Sequence, residues 1–364
     1  MPASPDSRTA IENIDQLLAN VGLSPGRRQL MAAGFERQAK HPRQLAAAPG
    51  ATAHRAVTHG AAVRPAKAKA PRNRIEVLRA PLLAEIDWLV SGFSTRTGGK
   101  TSVYTPGQRA GELNLGFTSP DSHENVLENR RRFLKAVTGN PAFPMVTLRQ
   151  IHSSLIRTVS AKDVGEEARW KADGMMTSRP GLLLAIQTAD CIPVLIADRK
   201  RRAVAAFHAG WRGTLKRIVE HGVGRMRLEF GSKPRDLVAA IGPGIGQCCY
   251  AVGEEVRSEF LSQFSYADDL FCDVYDSDPV KEKYPLLFLT ARAPGHSNMG
   301  PSLHLDLVEA NRRQLLDAGL EPEAISVLGH CTSCHTGRYF SYRASQGFTG
   351  RMLSVIGINI AHSQ

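Results

Sequence analysis

The stretch "TADCIPVLIADRKRRAVAAFHAGWRG", residues 188–213, constrains the fold more than any other part of the chain. Two apolar runs flank the charged segment "DRKRR" at 198–202, the pattern of an antiparallel hairpin. A thiol opens the first run and an imidazole closes the second, where a plain core hairpin needs neither. Centring the turn near residue 199 or 200 makes partner numbers sum to about 399, which sets Cys191 opposite His208. Side chains on one face recur every second residue, so Pro193 lies beside Cys191 and Ala206 beside His208, with opposed Cβ atoms about 4.5–5.5 Å apart. At that separation a thiolate and an imidazole can share a metal ion or a proton. A one-residue slip would send them to opposite faces.

An isolated cysteine is most often an inert small hydrophobe. Here Thr188 and Asp190 put polar groups at the strand entrance, His208 runs into "AGWRG", and the alanines at 205, 206 and 209 leave space around the ring. The pair is expected to face a cavity. A third candidate is His152 in "LRQIHSS", at the end of another expected strand. Two histidines and a cysteine would give three ligands and an open position, the arrangement of a catalytic zinc rather than a closed structural one. Composition alone does not select His152 among twelve histidines.

From Ile75 onward strands and helices alternate. A strand is expected over 88–95, ending in "STRTGG", and further strands near 145–151, 155–159, 182–187, 191–197, 203–208, 237–241, 325–328 and 352–358. Asp121 with Glu124 opens a helix whose apolar face is Val126, Leu127, Phe133, Leu134 and Val137, stopped by Gly139-Asn140-Pro141. Thr214 is expected to cap a helix bearing Leu215, Ile218, Val219, Val223 and Met226, and more helices are expected near 252–264 and 304–317. Several consecutive short strands favour a mixed α/β chain of the α+β class, a layered sandwich rather than a doubly wound parallel sheet. The glycines of "GPGIGQCCY" lack dinucleotide-binding spacing and Pro243 divides the first two, so a tight turn is expected.

Residues 1–74 read differently. Thr9 with Glu12 begins a short helix carrying Ile11, Ile14, Leu17, Leu18 and Val21, and Ser24-Pro25 starts a second. From about Pro42 the chain has too few large apolar residues to fold alone, so 42–74 is expected to be a flexible basic linker. Of the net charge of +12, this extension supplies +8, from twelve Lys/Arg against four acids. The remaining body is only mildly basic, and no specific nucleic-acid binding is expected of it. No run is apolar enough for a membrane span, and no secretory signal is evident, so a cytoplasmic setting is expected. Six cysteines in such a chain are thiols rather than a disulfide framework. "CTSCH" at 331–335 matches the c-type haem attachment pattern, but that attachment requires export, and Cys331 and Cys334 are expected to be extra thiols in or near the site.

In order along the chain, "FSTRTGG", "ELNLG", "VLENRRRFL", "LRQIHS", "KADGMMT", "TADCIPVLIAD", "AAFHAGWRGT", "AAIGPGIGQCCYAVGEEV" and "YFSYRASQGFTGRM" closely resemble the YfiH-type laccase-domain family of purine nucleoside phosphorylases, formerly called polyphenol oxidases. The resemblance spans roughly 75–361 and implies a single α/β/β/α-type catalytic domain, here 75–364 behind the basic extension. It implies phosphorolysis of adenosine, inosine, guanosine or methylthioadenosine to base and sugar 1-phosphate, with adenosine deamination as a further activity. It also implies a zinc site, with copper possible, built from His152, Cys191 and His208. The extension and the added Cys334-His335 have no counterpart in the family pattern.

Zinc would suit deamination, because it brings the pKa of water to about 7 for attack at C6 of adenine. Asp190 and Asp173 are the carboxylates nearest by sequence context for carrying a proton, and equally fit turn or capping roles. Phosphate calls for forked guanidinium donors, and Arg96 in "STRTGG" and Arg212 in "GWRG" are the candidates, although each also suits a structural ion pair. Trp211 suits a core role or stacking on a purine. Two other activities use the same residues: a metal-free hydrolase or transferase with Cys191 as nucleophile and His208 as base, and a copper-dependent polyphenol oxidase. A multicopper oxidase needs H-x-H pairs, and this sequence has none. The oligomeric state is not legible.

Overall fold

The computed structural model describes residues 74–104, 111–165, 170–274 and 301–360. The extension expected over 1–74, with its helices and linker, lies outside the described residues except for Arg74. In the first half the elements are β1 (Val77–Leu78), α1 (Pro81–Ala84), β2 (Leu89–Ser94), β3 (Thr97–Thr101), α2 (His123–Thr138), β4 (Met145–Val146), β5 (Ile156–Thr158), β6 (Gly174–Thr177) and β7 (Leu183–Thr188). Then come β8 (Ile192–Asp198), β9 (Ala203–Ala209), α3 (Trp211–Leu215), α4 (Ile218–Phe230), β10 (Leu237–Ile241) and α5 (Glu254–Gln263). The last are β11 (Phe271–Val274), β12 (Ser302–Leu305), α6 (Leu307–Asp317), β13 (Ile325–Val327) and β14 (Met352–Ile358).

One sheet has the order β1-β2-β14-β7-β4 and the other β13-β10-β8-β9-β6-β5; β11 and β12 pair separately. Most pairings are antiparallel, with β4/β7, β5/β6 and β10/β13 parallel. The apolar runs of the central strands are continuous because both faces of each sheet are covered. Leu195, Ala197, Val204, Ala206 and Val238 meet Phe93, Leu184, Ile186 and Ile356 between the sheets. On the outer side, Val194, Ile196, Phe207 and Ile241 pack under Val219, Val223 and Met226 of α4, Phe260 of α5 and Leu315 of α6. The opposite outer face sets Leu183, Ala185, Leu353 and Val355 against Phe133, Leu134 and Val137 of α2. The result is the α/β/β/α layering.

Helix α2 begins one residue later than the expected Asp121 start, where Ser122 accepts a bond from the Asn125 amide at 3.2 Å, a cap of about 1 kcal/mol. It ends at Gly139, whose φ of 78° suits glycine. Leu127, expected on its buried face, is exposed; Asn129 and Arg130 are buried instead, bonded to backbone carbonyls of 112, 114 and 115. Thr214 lies inside α3 rather than capping one long helix, and Asn311 donates to its hydroxyl. The break before α4 falls at Arg217, in the left-handed region at φ 56°. The expected strand over 145–151 is regular only at Met145–Val146, and the helix expected from 304 starts at Leu307, because Ser302–Leu305 pairs with β11. β3 and β6, rich in glycine and methionine, carry no alternation and were not foreseeable as strands.

Candidate active site

Hairpin β8/β9 sets Pro193, not Cys191, opposite His208, and Ile192 opposite Ala209. Its turn holds the four residues 199–202 between the pair Asp198 and Ala203, which moves the register by two from the expected one. An even slip preserves the face. Cys191, just before β8, therefore still lies on the same face as His208, diagonal to it and turned toward the space between the sheets.

His152 arrives from the loop after β4. Its φ of 58° is unusual for a residue with a Cβ, and Asp173 explains how the loop is held there. The fully buried Asp173 carboxylate accepts the amides of Ile151 at 3.1 Å, His152 at 2.9 Å and Ser153 at 2.6 Å, and the Ser153 hydroxyl at 2.6 Å. It also lies 2.8 Å from Nδ1 of His208. One carboxylate thus seats two of the three candidate ligands and leaves Nε2 of His208 for the cavity side. Burial pushes the Asp173 pKa up, but the bonds from His208 and Ser153 outweigh it and hold it at about 2. Asp173 is thereby a positioning residue, fully engaged as an acceptor.

The donor atoms of His152, Cys191 and His208 all lie within 4.8 Å of one another. Cys191 Sγ is 3.8 Å from His152 Nε2, close to the roughly 3.6 Å spanned by a nitrogen and a sulfur on a tetrahedral zinc. Room for an ion is kept by Gly210: a Cβ there would sit 2.9 Å from Cys191 Sγ and 3.0 Å from His152 Cδ2. Spacing, donor chemistry and vacated volume all fit a metal ion. Burial raises the Cys191 pKa, yet the charge of His208 and the bond to His152 prevail and bring it to about 6. Burial lowers that of His208, whereas Cys191 and Asp173 lift it to about 9. The three groups are built to hold a thiolate.

These groups lie in a cavity of about 690 Å³, also lined by Arg149, Gln150, Gln187, Asp190, Trp211, Arg212, Ile245, Tyr250, Leu307, Tyr342, Arg343 and Arg351. Arg212 is among the lining residues, with its guanidinium 4.4 Å over the Trp211 ring. Arg96 is not among them. Its Nε donates to Glu112 at 2.6 Å and its Nη1 to the Thr336 carbonyl at 2.9 Å, so the substrate-contact expectation gives way to the structural ion pair. Asp190 is a turn residue at φ 93° whose carboxylate accepts from the Thr332 hydroxyl and the Arg343 amide, both at 2.6 Å. Sequence reasoning missed Arg149, Arg343 and Arg351, which lie far apart in the chain among many arginines. Burial, with the Cys191 charge, lifts the Tyr250 phenol to about 12, leaving it a neutral donor on the wall. Cys331 and Cys334 do not line the cavity.

The family model for multi-copper polyphenol oxidoreductase laccase matches residues 90–359. The chain belongs to this YfiH-type laccase-domain family. It is 35% identical over 277 residues, 74% of this chain and 89% of the relative, to purine nucleoside phosphorylase YlmD of Geobacillus stearothermophilus. A purine nucleoside phosphorylase of Deinococcus radiodurans is 36% identical over 284 residues, 78% of this chain and 93% of that one. The crystal structure of the hypothetical protein YfiH of Bacillus licheniformis superposes with a TM-score of 0.62 at 32% identity, covering 76% of this chain and 94% of the other. As a member of this family the chain is an enzyme. Among the described residues no helix is long and apolar enough to cross a membrane.

Proposed function

We propose that the enzyme is a zinc-dependent purine nucleoside phosphorylase, converting adenosine, inosine, guanosine or methylthioadenosine and phosphate to free base and sugar 1-phosphate, with adenosine deamination as a second activity. Residues 75–364 form the catalytic domain and the setting is cytoplasmic. The observation that carries the proposal is the meeting of His152, Cys191 and His208 in a cavity lined by four arginines. A volume near 690 Å³ suits a nucleoside with phosphate, within the usual range of about 300–1,000 Å³. The names of the relatives agree with this reading.

In phosphorolysis a phosphate oxygen bonds to the anomeric carbon as the glycosidic C–N bond breaks, and the electron pair leaves with the base, which takes up a proton. Arg212, with Arg149, Arg343 and Arg351, binds and orients the anion. Trp211, Tyr250 and Leu307 supply flat or apolar surface for base and sugar and displace water from them. Asp173 fixes the His208 ring and the 151–153 loop, so the donors need no rearrangement when substrate enters. Zinc held by His152, Cys191 and His208 would supply a Lewis acid able to activate water or polarise an oxygen.

The depressed Cys191 and elevated His208 also favour a second reading, a metal-free hydrolase or transferase with Cys191 as nucleophile and His208 as its acid–base partner. Copper in the same site, favoured over zinc at most N/S donors, would account for any phenol oxidation. The deciding experiment measures phosphate-dependent release of base from each nucleoside by wild type, Cys191→Ala and His208→Ala. Equal rates in all three defeat the proposal. Full activity after metal removal, abolished by alkylating Cys191, would transfer it to the thiol mechanism.

A further inference from the structure

A second group of soft ligands stands apart from the cavity lining. Cys248 and Cys249 come from the glycine-rich turn after β10, and Cys331 and Cys334 from the stretch after β13; their four sulfurs lie within 4.8 Å of one another. Cys334 Sγ is 3.4 Å from Cys248 Sγ and 3.3 Å from Cys249 Sγ. The Gly246 amide donates to Cys331 Sγ at 3.2 Å. All four are free thiols, and Cys248 and Cys334 are exposed, so core packing does not explain why they gather.

We propose that Cys248, Cys249, Cys331 and Cys334 form a second metal site, a closed tetrathiolate that binds one zinc ion and fastens together two loops beside the active-site cavity.

A tetrahedral zinc with bonds of about 2.3 Å spaces its sulfurs roughly 3.8 Å apart. The separations of 3.4 and 3.3 Å fall a few tenths of an ångström short of that value, a gap that small side-chain shifts close, and all four sulfurs stay within 4.8 Å of one another. A polynuclear iron–sulfur cluster would spread its thiolates wider, over more than one iron. Four thiolates this close repel one another strongly, and a dication of soft preference removes the repulsion. On binding, the thiol protons pass to solvent. The Gly246 amide plays the part that outer hydrogen bonds play at metal–thiolate centres. Four protein ligands leave no open position, so the site is structural. The C-x-x-C-H run then contributes two thiolates, while His335 Nδ1 donates to the Cys331 carbonyl at 2.9 Å.

The consequence reaches the cavity through short links. Thr332, beside Cys331, donates its amide to the Gly244 carbonyl and its hydroxyl to Asp190. Ile245 donates to the Asp190 carbonyl at 2.7 Å, and Asp190 directly precedes Cys191. Tyr250, next to Cys249, lies on the cavity wall. An ion clamping the two loops therefore steadies the backbone on which Cys191 stands.

The test uses full-length Cys191→Ala/His208→Ala protein, in which the His/Cys/His site is dismantled, produced with zinc in the medium. Elemental analysis should find one zinc per chain, and X-ray absorption a shell of four sulfurs. Adding Cys334→Ser should remove the ion. Should that variant fail to fold, the sulfur shell of its parent, with zinc release in step with thiol modification by a mercurial, decides instead. Absence of zinc from the double variant, a shell containing nitrogen or oxygen, or zinc that survives Cys334→Ser would overturn the proposal. None of these outcomes depends on the metal or reaction assigned to His152, Cys191 and His208.

Discussion

Asp173→Asn is the most informative single change, because one buried carboxylate seats both the 151–153 loop and His208. An amide retains one acceptor oxygen and turns an NH₂ group toward donors, so at least one of the three amides or His208 loses its partner. An unsatisfied buried donor costs about 1–3 kcal/mol. Loss of the charge removes what holds the carboxyl at about 2 instead of its ordinary value, roughly 2 kcal/mol that overlaps with this cost because the same bonds from His208 and Ser153 cause it. A destabilisation of about 2–3 kcal/mol is expected, together with a 10- to 100-fold loss of metal affinity. Denaturant unfolding of the metal-stripped proteins should follow a defined pH course. The carboxylate pKa is depressed, so its contribution is complete above the unfolded value near 4 and is lost only as pH falls through about 2. The His208 pKa is raised, so its contribution is complete below about 6.5 and is lost as pH rises through about 9. The gap between wild type and variant should therefore stay level from about pH 5 to 6.5 and narrow toward pH 9. A gap under about 1 kcal/mol with metal affinity unchanged would refute the positioning role.

Gly210→Ala places a methyl 2.9 Å from Cys191 Sγ, and relieving that contact moves the sulfur by more than the ~0.2 Å that metal sites tolerate. Metal titration should show affinity falling at least about tenfold; unchanged affinity would mean that the trio does not share an ion. Arg212→Ala should raise KM for phosphate about 10- to 100-fold, the worth of a charged hydrogen bond, in initial-rate kinetics. Arg96→Ala should leave that KM unaltered while calorimetry shows a destabilisation of about 1–3 kcal/mol from loss of the charged bond to Glu112 and of the bond to the Thr336 carbonyl. In metal-stripped protein, alkylation of Cys191 should rise through a midpoint near 6 rather than near the ordinary thiol value, and a midpoint above about 8 would dissolve the thiolate–imidazolium pair. Deleting residues 1–74 should leave turnover of nucleosides unchanged; lost activity would make the extension part of the catalytic unit.

The sequence by itself determined the local pieces: the β8/β9 hairpin, the boundaries of β14, the start of α2 to within one residue and its glycine stop, and the placing of Cys191 and His208 on one face. These rest on periodicity and turn chemistry, which act over a few residues, and face survives a register error of two because strand side chains repeat with that period. His152 entered with help from family resemblance, since nothing local marks one histidine among twelve. The tertiary structure decided which charges meet. Arg96 faces Glu112 rather than the cavity, whereas Arg149, Arg343 and Arg351 reach it from segments far apart in sequence. Asp173 ties the 151–153 loop to β9, and two cysteine pairs some 80 residues apart converge. Such contacts follow from how two sheets pack and where their loops emerge, and no short-range pattern in the chain encodes them.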